Sequence, residues 1–395
     1  NDDLARNDGF VMRYVILFFL LIEAFFGHGR PATAYDLTPV IREELAVLPL
    51  EPVEDYLIRL DQDVQRLLPR WDPVAWAQNG VGFNPADGLK YLLSIGFKEV
   101  VLNFRLLIQI IALAGVCSVL HRLHTAWLSE NVTDLAYAMT YLVIIGLAVG
   151  SFVTTLQLAR ETLDSAGSFL FAIMPVIFSL LMAAGGLGSA AVLHPMVFAG
   201  VTLIIHAIKD YLLPLIYIGG VIGLAGHLAE GFPLSRLAGL VRTVVIGGLG
   251  LLMTIFLGVI SIQGLGAAVS DGVSLRTAKF LTGSFLPVVG GALADSMELA
   301  AGCSLVIKNA LGTFGALVVL FVCLLPMVKI YAIAIIYRLA SALVQPLGQE
   351  RLSQALQEIA NTFTLVFGAL SIAGMMFFIS LTVLVTVGNF SAMLR

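Results

Sequence analysis

From residue 101 onward the chain consists of long apolar runs separated by brief polar, Gly and Pro interruptions. The runs fall at 101–120, 134–158, 166–184, 189–208, 211–229, 241–262, 282–302, 304–322, 324–341 and 363–388. A helix needs roughly 20 apolar residues to cross a bilayer core. The pattern therefore predicts an all-α polytopic membrane protein with about 8–10 membrane segments, the shortest of them tilted or re-entrant.

The first hundred residues differ. Val53, Tyr56, Leu57, Leu60, Val64, Leu67 and Leu68 recur at helical spacing, with charged residues on the other faces, and predict one amphipathic helix stopped near Pro69. The stretch after it, from Trp71, has the Pro, Asn and Gly punctuation of a loop. Its Trp71 and Trp76 suit either an interfacial belt or packing against the preceding helix. Near the other end, Leu352, Leu356, Ile359 and Phe363 form one apolar stripe on a polar segment, which predicts an interfacial helix before the last span.

Met12 and Arg13 precede the run YVILFFLLIEAFF, and Ala32, Thr33 and Ala34 follow it with small side chains. This is the anatomy of a secretory signal peptide cleaved before Tyr35. An uncleaved signal anchor is the other reading, with Glu23 interrupting the run. Residues 1–34 are then upstream sequence plus signal peptide, 35–100 an acidic extracytoplasmic helical preamble, and 101–395 a multispan membrane domain. The preamble carries eleven acidic residues against six basic ones.

Composition agrees with the pattern. Hydrophobic residues make up 59% of the chain and charged residues 12%, where soluble domains carry roughly 25% charge. The net charge of -4 supplies no basic footprint, so no nucleic-acid partner is expected. Cys117, Cys303 and Cys323 sit in apolar segments at unrelated spacings and read as small hydrophobes. His121 and His124 share a helical face but have no carboxylate at ligand spacing. The chain carries no Walker A, HExxH or GxSxG pattern. The expectation is a protein that is not an enzyme and uses no cofactor or metal.

The anomaly lies between Ser270 and Gly302, where five charged side chains interrupt membrane sequence. Charge at bilayer depth is costly and belongs in the protein interior, in water or in pairs. Arg276 with Lys279, and Asp295 with Glu298, stand three apart and share helix faces. Pro287, Gly290 and Gly291 between them predict a broken or re-entrant segment near 282–302. Together with Lys308 these four charges form a candidate intramembrane polar cluster, for assembly or for lining a hydrated path. The competing reading lays 270–282 at the interface with its basic side chains snorkelling.

The run SLRTAKFLTGSFLPVVGGALADS from Ser274, followed by SLVIKNALGTFG from Ser304, resembles the signature region of the stage III sporulation protein AE family of endospore-forming bacteria. The resemblance in general character extends over most of the chain. It implies a multi-pass protein of the mother-cell membrane surrounding the forespore, part of a channel or secretion-like complex required for forespore development. Its implied partners are the other membrane proteins of the stage III sporulation A complex, a cytoplasmic secretion-type ATPase and a forespore-side channel protein.

Shifting the chain by 116 residues aligns Arg160 with Arg276, Gly167–Leu170 with Gly283–Leu286, Ala184 with Ala300 and Gly186 with Gly302. Two tandem four-segment units, 134–229 and 246–341, would follow, parallel as in some transporters. Chance similarity between Gly- and Leu-rich helices is the alternative. Where the first unit has Leu163, Ser179, Met182 and Val192, the second has Lys279, Asp295, Glu298 and Lys308. Repeats, broken helices and buried charge also suit a stand-alone secondary transporter or permease for a small solute. Gly146 with Gly150, Gly219 with Gly223, Gly247 with Gly250 and Gly312 with Gly315 offer small faces for packing between helices or copies of the chain. Lys209 and Asp210 read as a span end, and Lys329 after Pro326 as a further polar insertion.

Overall fold

A computed structural model describes residues 38–393 apart from 84, 128–129, 229–233 and 286–289. The side chains of 85–86, 117, 120–127, 130–138, 140, 227–228, 235, 263–285, 290–298, 388 and 390–393 also lie outside the description. The described residues begin with four short helices: α1 (Thr38–Val47), α2 (Glu51–Arg59), α3 (Gln62–Leu67) and α4 (Pro73–Asn79). Then follow α5 (Pro85–Leu102), α6 (Phe104–Trp127), α7 (Glu130–Ala183) and α8 (Leu187–His206). A π-helical turn (Ala207–Leu212) joins α8 to α9 (Leu213–Leu228), and α10 (Ser235–Phe285), α11 (Gly290–Val344) and α12 (Glu350–Met393) complete the chain. No strand occurs among the described residues. The chain is an all-α polytopic membrane protein.

Among the described residues, six helical runs are long and apolar enough to cross a bilayer: Asp87–Val116, Tyr141–Ala183, Leu187–Gly226, Arg236–Ile262, Leu299–Leu347 and Glu350–Val387. Several of the apolar segments are fused. Runs 134–158 and 166–184 both lie on α7, 189–208 and 211–229 on one rod joined by the π turn, and 304–322 and 324–341 on α11. A polar residue inside an apolar helix leaves the main-chain ladder intact, and Pro175, Pro195 and Pro326 sit inside helices that continue past them. α7, α10, α11 and α12 contain 54, 51, 55 and 44 residues. At about 1.5 Å per residue they are roughly 65 to 80 Å long, more than twice the ~30 Å hydrocarbon core.

α11 and α12 form the most extensive helix pair, and α7 packs against both. The apolar window of α12 is 78% buried, against 17% for that of α5–α6. The bundle is therefore centred on α7, α11 and α12, with α5–α6, α8–α9 and α10 around them. Leu352, Leu356, Ile359 and Phe363 are at most 1% exposed, so the stripe expected at an interface belongs to this core. Its polar flank had suggested water, but the same rod simply carries both the polar segment and the last span.

The amphipathic segment breaks in two. Leu60 turns extended (ψ 150), and the Asp61 side chain accepts from Asp63 N at 3.0 Å to cap α3. The stretch expected as a loop contains α4, where Asp72 caps Ala75 N at 2.9 Å and Pro73 fills the first turn. Both caps place a carboxylate where the first helical amides need an acceptor. Trp76 is 5% exposed and stacks on Phe314 of α11 with ring centroids 4.3 Å apart, while Trp71 meets both rings edge-on. These tryptophans pack the short helices onto the bundle. At the other end of α7, Gly185 adopts φ 87 and Gly186 N bonds to Leu181 O at 2.9 Å, which turns the chain into α8.

Candidate functional site

One face of α11 carries Ser304, Lys308 and Gly312 at successive turns. Lys308 is completely buried, and its Nζ donates to the main-chain oxygen of Val385 on α12 at 2.8 Å. One turn further, a Cβ on Gly312 would lie 2.1 Å from Val385 Cγ2, so α12 lies directly against α11 only because this residue has no side chain. One turn earlier, Ser304 donates to Glu44 Oε1 of α1. Burial raises the Glu44 carboxyl above its ordinary value, and the Ser304 hydrogen bond acts in the opposite direction. Glu44 Oε2 and the nearby Asn309 Oδ1 are buried without a hydrogen-bond partner among the described residues. A polar seam therefore runs from the short helices into the α11–α12 contact.

Further along α11 is a cavity of about 400 Å³ between α2, α3, α7 and α11. Tyr56, Arg59, Asp61, Glu161, Ser165 and Lys329 line it, together with Val322 and Pro326. Tyr56 and Ser165 share a hydrogen bond of 2.7 Å, and burial pushes the Tyr56 phenol up to about 12, so it stays protonated. Pro326 has no amide hydrogen to give Val322, which leaves that carbonyl without its helical donor in the cavity wall. Lys329 follows three residues later on the same wall. The site holds opposite charges, hydroxyls and a main-chain acceptor around a space open to polar occupants.

Two further ion pairs tie helices together. Lys209 Nζ, in the π turn, contacts both carboxylate oxygens of Asp164 on α7 at 2.6 and 2.5 Å. His206 Nδ1 and Asp210 Oδ2 lie 2.8 Å apart along the same turn. Lys209 and Asp210 thus stand inside a continuous rod; the π turn presents them outward without ending the helix. On the far side, Arg242 Nη2 bonds Glu358 Oε1 at 2.6 Å, with Gly223 leaving room for the Glu358 side chain.

Of the sequence-predicted cluster, Lys308 lies in the α11–α12 contact. The side chains of Arg276, Lys279, Asp295 and Glu298, and Pro287 entirely, lie outside the described residues. Gly290 and Gly291 open α11. Glu44 and Asp164 escaped the sequence reading because their partners, Ser304 and Lys209, are remote, and Arg59 and Glu161 because the helices that line the cavity with them are remote. The Pro326–Lys329 spacing was the one local signal for the cavity.

A family model described as Stage III sporulation protein AE matches residues 74–388 of this chain. The Stage III sporulation protein AE of Bacillus subtilis (strain 168) is 38% identical over 313 residues, covering 79% of this chain and 78% of the relative. No solved structure matches.

Proposed function

This chain belongs to the stage III sporulation protein AE family, and from that premise we propose that it is a membrane component of the channel or secretion-like complex that joins mother cell and forespore. In this reading it resides in the mother-cell membrane surrounding the forespore and is required for forespore development. Its partners are the other membrane proteins of the stage III sporulation A complex, a cytoplasmic secretion-type ATPase and a forespore-side channel protein. The observation that carries the reading, beyond family membership, is the length of α7, α10, α11 and α12: rods of 44 to 55 residues extend past any bilayer and offer partners a helical surface outside it. The chain has no nucleotide-hydrolysing motif, so energy would come from a partner. Arg276, Lys279, Asp295 and Glu298, with Lys308, are assigned in this reading to assembly or to a hydrated path.

The test is affinity capture of the full chain from membranes of sporulating cells, with the ATPase and ring-forming proteins scored in the eluate. Their co-purification supports the complex; recovery of the chain alone counts against it. A second reading, a stand-alone permease for a small solute, draws on the mixed-charge cavity beside Pro326. Solute uptake by the purified chain in liposomes, without partners, would favour that reading.

A further inference from the structure

α5 and α11 run alongside each other in one direction. A Cβ on Gly88 would lie 3.6 Å from Phe321 Cζ and one on Gly96 would lie 3.5 Å from Val328 Cγ1, so successive turns of the two helices keep step. Between them, with α12 as its floor, is a second cavity of about 370 Å³, opened where Gly96 and Ala332 withhold side-chain bulk. Its lining is hydrocarbon. The Ser371 hydroxyl on the floor is spent on Phe367 O at 2.8 Å, and the Tyr331 ring lies against that of Phe367 with centroids 5.1 Å apart. A cavity with such walls gives ordered water no partners. Its outer rim is a row of α5 side chains, Leu89, Leu93 and Phe97, which are 50, 55 and 73% exposed.

We propose that this groove holds one acyl chain of a membrane lipid. Its three walls belong to runs able to cross a bilayer, Asp87–Val116, Leu299–Leu347 and Glu350–Val387, so the medium at its mouth is the hydrocarbon of the bilayer. The length agrees. The lining runs from Leu89 to Val100 on α5 and from Leu324 to Ile335 on α11, each about 16 Å of helix, and one leaflet supplies about half of a ~30 Å core. Spread over that length, the volume leaves roughly 23 Å² in section, room for one hydrocarbon chain and far too narrow for a helix about 10 Å across. Charge at the rim points the same way. Lys90 stands three and seven positions before Leu93 and Phe97, is exposed, and has no hydrogen bond or ion pair among the described residues, so an anionic headgroup finds a cation there. Lys98, exposed on the other side of α5, takes no part in the lining. The inference does not depend on which complex the chain joins.

The full chain is reconstituted in bilayers of phosphatidylcholine and phosphatidylglycerol, with a trace of phosphatidylglycerol that carries a photoactivatable diazirine in one acyl chain. After irradiation, adducts are mapped to peptides by mass spectrometry. They are expected to concentrate on residues 89–100 and 324–335, severalfold above the exposed apolar face of α10. Gly96→Leu, which puts a side chain into the groove, is expected to lower the adducts in those two stretches severalfold, whereas Leu251→Gln, on the exposed face of α10, leaves them unchanged. Unfolding midpoints in detergent check that each variant is folded. If Gly96→Leu is not, Leu93→Gln on the exposed rim takes its place, with the same loss expected. The proposal is overturned if adducts spread evenly over the exposed helices or if the groove variants leave them unchanged. It is overturned too if Leu93→Cys joins two chains by a disulfide that the unsubstituted chain does not form, since a second copy then covers the groove.

Discussion

The Lys308 ammonium donates to the Val385 carbonyl across the α11–α12 contact at 2.8 Å, with no exposed surface left to the lysine. A buried cation held by one main-chain oxygen is poorly compensated. Lys308→Met, which keeps the length and removes the charge, is therefore expected to leave thermal stability in detergent unchanged or raised. Lys308→Ala, which opens a void, should cost about 2–4 kcal/mol. If both variants lose stability alike, the charge itself is needed at that position.

Gly312 faces the same valine. Gly312→Ala would force the helices apart and is expected to cost about 1–3 kcal/mol. Val385→Ala should recover part of that loss, and a double-mutant cycle on unfolding midpoints measures the coupling. Gly247→Ala, with nothing within 4 Å of the added carbon, should be neutral or slightly stabilising through helix propensity.

The raised Glu44 carboxyl makes the docking of α1 depend on pH. A group whose folded pKa exceeds its unfolded value holds its proton more tightly when folded, so its contribution is present below the unfolded value, near 4.5, and is lost as pH rises through the folded one. Amide exchange over Thr38–Val47 should therefore slow as pH falls toward 4.5, after correction for intrinsic exchange. Glu44→Gln should flatten this dependence while keeping an acceptor for Ser304. An unchanged pH profile in that variant would remove Glu44 as its source.

The Lys209–Asp164 pair joins the α8–α9 rod to α7 at the bundle centre. Lys209→Met or Asp164→Asn alone leaves one charge without its partner, so each single variant should be more damaging than the double variant. Coupling of a few tenths to about 1 kcal/mol is expected in the cycle, read from unfolding in detergent, because both side chains are partly exposed. Additive losses would mean that the two side chains touch without supporting each other.

Apolar runs beyond residue 100 were enough to identify a helical membrane protein, because burying or lipid-facing side chains dominates such a chain. Helix continuity was not legible from Lys209, Asp210 or Lys329, since a side-chain charge does not interrupt the main-chain ladder. Nor could the sequence tell that Asp164 answers Lys209 from 45 positions away. The glycine pairs show the same limit: Gly219 and Gly223, and Gly312 and Gly315, meet neighbouring side chains, while Gly146, Gly150, Gly247 and Gly250 meet none among the described residues. Composition offered all four pairs equally. The 116-residue offset sets Ala184 and Gly186, at a helix end, against Ala300 and Gly302, inside α11. Lys308 stands out in the sequence as a lone cation amid apolar residues, but its partner, the Val385 carbonyl 77 positions away, could not be read there.

α7 touches Tyr56 through Ser165 and, near its other end, reaches α9 through the Tyr141 hydroxyl on Leu224 O at 2.9 Å. Between those points it has no joint. That unbroken stretch is about 36 Å long, so a tilt of ~5° about the Ser165 contact would carry Tyr141 through about 3 Å, and a nudge delivered to the short helices would arrive at α9 as a displacement comparable to a hydrogen bond's length.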